Sequence, residues 1–164
     1  MIYTDIWNVF SPYLVSFLLT CFIAESVKII LKTIKHRQLR LREFSQSGGM
    51  PSLHSAAMTA LAVTTGLLNG FGSVAFAIVV SFACIVIYDA VHVRRAVGEQ
   101  GEVIQKIIER DAKLEREISS ILGEKTSRKL RKPYLARGHK PLEALVGSLI
   151  GVVVGVVVAY LSVG

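Results

Sequence analysis

The chain has 164 residues, 52% of them hydrophobic, yet its formal net charge is +7 from 19 Lys and Arg against 12 Asp and Glu. The length suits one domain over 1–164, and the apolar share excludes an ordinary soluble fold of this size. Apolar content and charge are segregated: residues 11–31, 55–91 and 141–163 are strongly apolar, while 32–46 and 92–140 hold most of the charge. This is the pattern of an integral membrane protein with basic loops, so the charge requires no nucleic-acid partner.

Residues 1–10 place Tyr3, Trp7 and Phe10 at the membrane interface. They lack a basic n-region and a small-residue cleavage site, so the first apolar segment is expected to stay as an anchor. Pro12 fits the first turn of a helix, and a span over about 11–31 follows. Glu25 and Lys28 interrupt its far end at i,i+3 spacing, where they can pair on one helix face. A snorkelling lysine with a bridged glutamate explains them structurally, but an ionisable group inside a span is also a candidate functional residue. Lys32, Lys35, Arg37, Arg40 and Arg42 then form a polybasic segment suited to anionic headgroups or an anionic substrate.

The stretch Ser47-Gly48-Gly49-Met50-Pro51-Ser52-Leu53-His54-Ser55 separates that basic segment from a second span at 55–68. Gly48 and Gly49 let backbone N–H groups approach a ligand, Ser52 and Ser55 offer hydroxyls, and His54 titrates near neutral pH. A helix starting here aims its free N–H groups at the turn, an arrangement that suits an oxyanion. The plain alternative is a Ser/Gly/Pro helix cap with an incidental histidine.

Asn69-Gly70-Phe71-Gly72 is a turn, and a third span over 73–91 ends in Asp89, followed by Arg94 and Arg95. Over 97–122, Ile104, Ile107, Ile108, Leu114, Ile118, Ile121 and Leu122 recur at helical spacing among charges, predicting an amphipathic helix outside the hydrocarbon. Such a helix can lie on the membrane, pack on the domain or pair with a second copy. Residues 123–137 read as a basic loop. Arg137-Gly138-His139-Lys140-Pro141-Leu142-Glu143 opens a fourth span over 141–161, whose Gly147, Gly151 and Gly155 form a close-packing face for another helix. Cys21 and Cys84 lie in apolar runs without ligand spacing and read as small buried side chains.

All 19 Lys and Arg fall at 28, in 32–42 or in 94–140. With four spans, both basic loops share one side, which the positive-inside rule makes the cytoplasm, and both termini lie outside. Lys28, the Ser47–Ser55 turn, Arg94, Arg95, His139 and Glu143 are thereby brought to one membrane face. Together they suit phosphoryl transfer with neither metal nor other cofactor. Glu143 lies at i,i+4 from His139 and can fix its tautomer, leaving the other ring nitrogen to attack. Lys and Arg neutralise the phosphoryl oxygens, the Gly48 and Gly49 N–H groups add donors, and His54 protonates the leaving alkoxide. Asp89 and Ser55 are supporting candidates.

The segments 48–55, 88–95 and 138–143 resemble the divergent branch of the type 2 phosphatidic acid phosphatase family, related to acid phosphatase and vanadium-dependent haloperoxidase. The resemblance covers nearly the whole chain and implies an all-α membrane bundle that hydrolyses lipid phosphate esters through a phosphohistidine. It gives Ser52 and His54 the phosphate-binding and acid roles, His139 and Glu143 the roles of nucleophile and its carboxylate, and Lys28 that of a phosphate-binding cation. The chain lacks the Arg-Pro pair that the wider family has seven residues after the lysine, where Lys35 stands here, and departs from it at three further points. Leu53 stands for a glycine, Glu143 for an aspartate, and Pro133 where an arginine is expected, leaving Arg94, Arg95 or Arg137 to substitute.

The expected function is therefore a phosphatase of the cell membrane acting at the cytoplasmic leaflet, on phosphatidylglycerophosphate or phosphatidic acid. The alternatives are a polyprenyl diphosphate phosphatase and a non-catalytic protein that binds anionic lipid or a partner. Vanadate-dependent halide oxidation fits a more soluble setting. A homo-oligomer is compatible with the amphipathic segment.

Overall fold

The computed structural model describes residues 10–36, 49–110, 116–118, 120–121, 123 and 140–163. Its main helices are α1 (Pro12–His36), α2 (Leu53–Asn69), α3 (Val74–Tyr88), α4 (Arg94–Arg110) and α5 (Pro141–Val163), with a π-helical turn, Asp89–Val93, between α3 and α4. The described residues contain no strand, and the molecule is a helical membrane bundle.

Helices α2 and α3 start at hydroxyl caps. Ser52 caps α2 by accepting the Ser55 N–H at 3.4 Å, and Ser73 caps α3 by accepting the Phe76 N–H at 3.2 Å. Each such cap stabilises its helix by about 1 kcal/mol. Between them, Gly70 takes a positive φ of 87° to end α2 and allow the tight reversal into α3.

Helix α2 is the centre of the bundle and packs against α1, α3 and, most extensively, α5. Its buried positions are small: Ser55, Ala56, Ala57, Ala60, Thr64, Thr65 and Gly66. Small side chains let neighbouring backbones approach closely, which is what drives helix association where lipid is as apolar as the protein. A Cβ on Gly147 would meet the Ser52 carbonyl, one on Gly151 the Ala56 carbonyl, and one on Gly155 the Ala60 carbonyl at 2.8 Å. Each step of one turn along α5 matches one turn along α2, so the two helices run parallel. The Thr64 hydroxyl donates to the Gly155 carbonyl at 3.3 Å along the same seam. The glycine face expected of the fourth span is thus present, and its partner is α2.

Helix α1 runs antiparallel to α2. The Tyr13 hydroxyl donates to Asn69 Oδ1 at one end, and Lys32 lies beside Gly49 at the other. Its inward stripe is Ser16, Thr20, Ala24 and Lys28, at 0%, 0%, 0% and 6% exposure. Helix α3 is attached more loosely, with Ala83 its buried residue. Cys84 therefore faces outward and Cys21 is half-buried, a correction to the buried positions expected for both.

Among the described residues, three helices are long and apolar enough to cross a membrane: Pro12–Ile34, Val74–Ile108 and Pro141–Val163. Helix α2, at 17 residues, is about 26 Å long and slightly short of the hydrocarbon thickness. It occupies the second position expected of a span but is walled by its neighbours. The amphipathic segment is not a separate element at its start. Helix α4 begins at Arg94 and continues α3 through the π turn, because no proline between Tyr88 and Arg110 breaks the hydrogen-bond ladder. The combined helix of 35 residues is about 52 Å long, so it outruns the bilayer core by roughly 20 Å. Leu114 and Leu122 lie outside the residues with described side chains, whereas Ile121 is exposed.

Two predictions follow from the parallel seam. Gly151→Val sets a branched side chain against the Ala56 carbonyl and, at 2.9 Å, against Ala60 N and Thr59 Cβ. It should lower stability by about 1–3 kcal/mol in detergent unfolding, while Val153→Ala on the exposed face of α5 should leave it nearly unchanged. With Cys21 and Cys84 replaced, single cysteines at Gly70 and Ser120 should be labelled from opposite sides of the membrane by an impermeant maleimide.

Candidate active site

The N-termini of α2 and α5 are fastened to each other. The Ser52 N–H, preceding the first turn of α2, donates to the Glu143 carbonyl in the first turn of α5 at 2.9 Å. Two parallel helices therefore point their positive dipole ends toward the same face from adjacent positions. The constant pairing of α1 with α2, Tyr13 by Asn69 and Lys32 by Gly49, brings Lys28 level with His54. The C-terminal half of α1, the turn before α2 and the start of α5 thus meet at one end of the bundle, as the charge pattern implied.

The turn itself is tightly built. Gly49 has φ 99°, a left-handed conformation that favours glycine, and a Cβ there would sit 3.6 Å from Lys32 Cε. Pro51, Ser52 and Ser55 are fully buried. Ser52 Oγ accepts both the Ser55 N–H and, at 3.1 Å, the Ser55 hydroxyl, while the Ser52 carbonyl accepts the Ala56 N–H at 3.0 Å. Both hydroxyls take part in the cap, Ser52 as acceptor and Ser55 as donor, which is the plain role the sequence allowed. His54, one residue into the helix, is half-buried.

Lys28 is the inward-facing cation of this region. Its Nζ holds Glu25 Oε2 at 3.1 Å, and the two side chains are 8% and 14% exposed. The lysine continues the stripe of Ser16, Thr20 and Ala24, so it faces the bundle and not lipid. That signal was present in the sequence as three small residues at four-residue spacing leading to Lys28.

Glu143 also has a structural duty. Its Oε2 accepts the Lys140 N–H at 3.3 Å, closing the first turn of α5 from within as in half of a capping box. His139, Gly48 and Arg137 lie outside the described residues. The distance from the Glu143 carboxylate to the imidazole is therefore a matter for the proposal below.

The π turn carries the second ionic cluster. Arg94 Nε donates to Asp89 Oδ2 at 2.7 Å, and Arg95 Nε to Glu99 Oε1 at 2.9 Å. All four side chains are at least 40% exposed, so these pairs contribute little to stability. Tyr88 and His92, four residues apart on one helix face, stack at 4.4 Å beside them, a contact that sequence reading did not single out. No group of three His, Cys, Asp or Glu among the described residues has a metal-binding arrangement.

Comparison with known proteins agrees with this architecture. The chain is 37% identical over 149 residues to the "Uncharacterized membrane protein YuiD" of Bacillus subtilis (strain 168), covering 90% of this chain and 93% of that one. No solved structure matches it. The model of the divergent PAP2 family matches residues 10–154, a range that takes in the Lys28 stripe, the Ser52 cap, the π turn and the start of α5. This chain belongs to the divergent PAP2 family.

Proposed function

We propose that the protein is a membrane phosphatase that hydrolyses a lipid phosphomonoester, of the phosphatidylglycerophosphate or phosphatidic acid type, through a phosphohistidine intermediate. The observation that carries this reading is the Ser52–Glu143 backbone bond, which joins the His54 turn to the helix start preceded by His139. Family membership supports it as well.

In this mechanism one imidazole nitrogen of His139 attacks phosphorus while Glu143 holds the other ring nitrogen. The ester P–O bond breaks, and His54 donates its proton to the leaving alkoxide. Water, deprotonated by His54, then attacks phosphorus, breaks the P–N bond and releases phosphate. Lys28, the Gly48 and Gly49 N–H groups and the two helix N-termini stabilise the charge on the equatorial oxygens. Ser52, committed to its cap, holds the α2 terminus in place for that purpose. Arg94 and Arg95 are proposed to bind phosphate from the exposed rim. No metal or cofactor takes part, and the reaction is assigned to the cytoplasmic leaflet of the cell membrane, since every Lys and Arg lies in or beside the two basic loops.

Purified protein in mixed micelles with chelator should release orthophosphate from at least one lipid in a panel of phosphatidylglycerophosphate, phosphatidic acid and polyprenyl diphosphate. His139→Ala should abolish release, and His54→Ala should slow it by about 10²–10⁴-fold. Folded wild type that releases phosphate from none of them would overturn the enzymatic reading and favour a binding protein for anionic lipid.

Vanadate, which mimics the trigonal-bipyramidal transition state, should inhibit competitively and bind 10²-fold or more tighter than substrate, as an order of magnitude. Insensitivity to vanadate in an inhibition assay would count against the phosphohistidine.

A further inference from the structure

Glu25 is a conspicuous partner for a phosphate-binding lysine. It lies inside a membrane span, 14% exposed, and gives one oxygen to Lys28 at 3.1 Å. Its other oxygen, Oε1, is buried with no hydrogen-bond partner among the described residues. Such a pair is a poor stability device, because apolar residues of similar volume stabilise a buried site as well or better. An ionised pair kept within hydrocarbon depth points to function.

The surrounding membrane defines a problem that this carboxylate solves. Bulk phospholipid headgroups are phosphodiesters with one negative charge on phosphate, and they surround the site at high local concentration. A bare ammonium at this end of the bundle would hold any of them. With Glu25 on Lys28, a phosphodiester monoanion merely exchanges one negative charge for another. A phosphomonoester, whose second ionisation lies near pH 6, brings a second charge and displaces the carboxylate at a gain.

We propose that Glu25 is a specificity-determining residue: an internal counter-anion on Lys28 that admits phosphomonoester dianions and refuses phosphodiester monoanions. This rests on the phosphate-binding role assigned to Lys28 above, but not on turnover. The carboxylate closes the cation when the site is empty and returns to it as phosphate leaves.

The test uses the full chain in detergent, with orthophosphate as the dianion and dimethyl phosphate as the monoanionic diester, titrated by calorimetry at pH 8. Wild type should prefer orthophosphate by about tenfold or more, the scale on which one nearby unit charge shifts an ionisation. Glu25→Gln should bind dimethyl phosphate more tightly and compress that preference to below about threefold. Glu25→Asp, which keeps the charge, should restore it. Unfolding curves establish that each variant is folded, and Glu25→Asp alone decides the matter if the glutamine variant is not, with lost preference despite retained charge counting against the idea. An unchanged preference in folded Glu25→Gln would overturn the counter-anion role and leave the phosphate site standing. No orthophosphate binding by wild type would overturn both.

Discussion

The close approach of two parallel helix backbones, α5 on α2, is the constraint on which the rest depends. Gly147, Gly151 and Gly155 leave no room for a Cβ against the carbonyls of Ser52, Ala56 and Ala60. Parallel packing of helices far apart in sequence places both N-termini at one end, and a single backbone bond from Ser52 to Glu143 fixes their relative height. Had the helices been antiparallel, one terminus would present N–H groups and the other carbonyls, and the anion-favouring field would be lost. The glycines are thus structural in what they touch and electrostatic in what they make possible.

The same geometry explains where charge is tolerated. Helix α1 supplies a column of small polar residues, Ser16 and Thr20, whose hydroxyls bond back to carbonyls of their own helix, Ser16 to Tyr13 at 2.9 Å and Thr20 to Ser16 at 2.6 Å. These donors are satisfied locally and ask nothing of the neighbouring helix. At Lys28, beside the polar turn and level with His54, the column ends in a cation held by Glu25. Farther along, Arg94 and Arg95 are held by their own carboxylates at the exposed rim. Positive charge is graded from a shielded interior cation to solvated surface ones.

Much of this was legible in the sequence. The apolar runs gave the helices, the Lys and Arg distribution gave their shared face, and the spacing of Glu25 and Lys28 gave their ion pair. The glycine repeat announced a close helix contact but not which helix would fill it, because glycine carries no side chain to name its partner. The Ser52–Glu143 bond was invisible for the same reason: a backbone donor and acceptor are present at nearly every residue. Glu143 read as a companion for His139, and its position three residues after Lys140 also suits a helix cap, in which its Oε2 accepts the Lys140 N–H. The join of α3 to α4 was missed because hydropathy changes there while helical backbone continues.

That join has a consequence of its own. A π turn inserts one extra residue into an α-helical ladder, so every side chain after Val93 is rotated by about 100° from where an unbroken α-helix would put it. The turn at Asp89–Val93 acts as a phase shifter between two parts of one rod. Upstream, phase is set by contact with α2; downstream, it decides which way Arg94, Arg95 and the apolar flank of α4 are turned. A reversible loss of that one residue of offset would re-aim the whole charged stretch of the helix while its apolar half stayed seated.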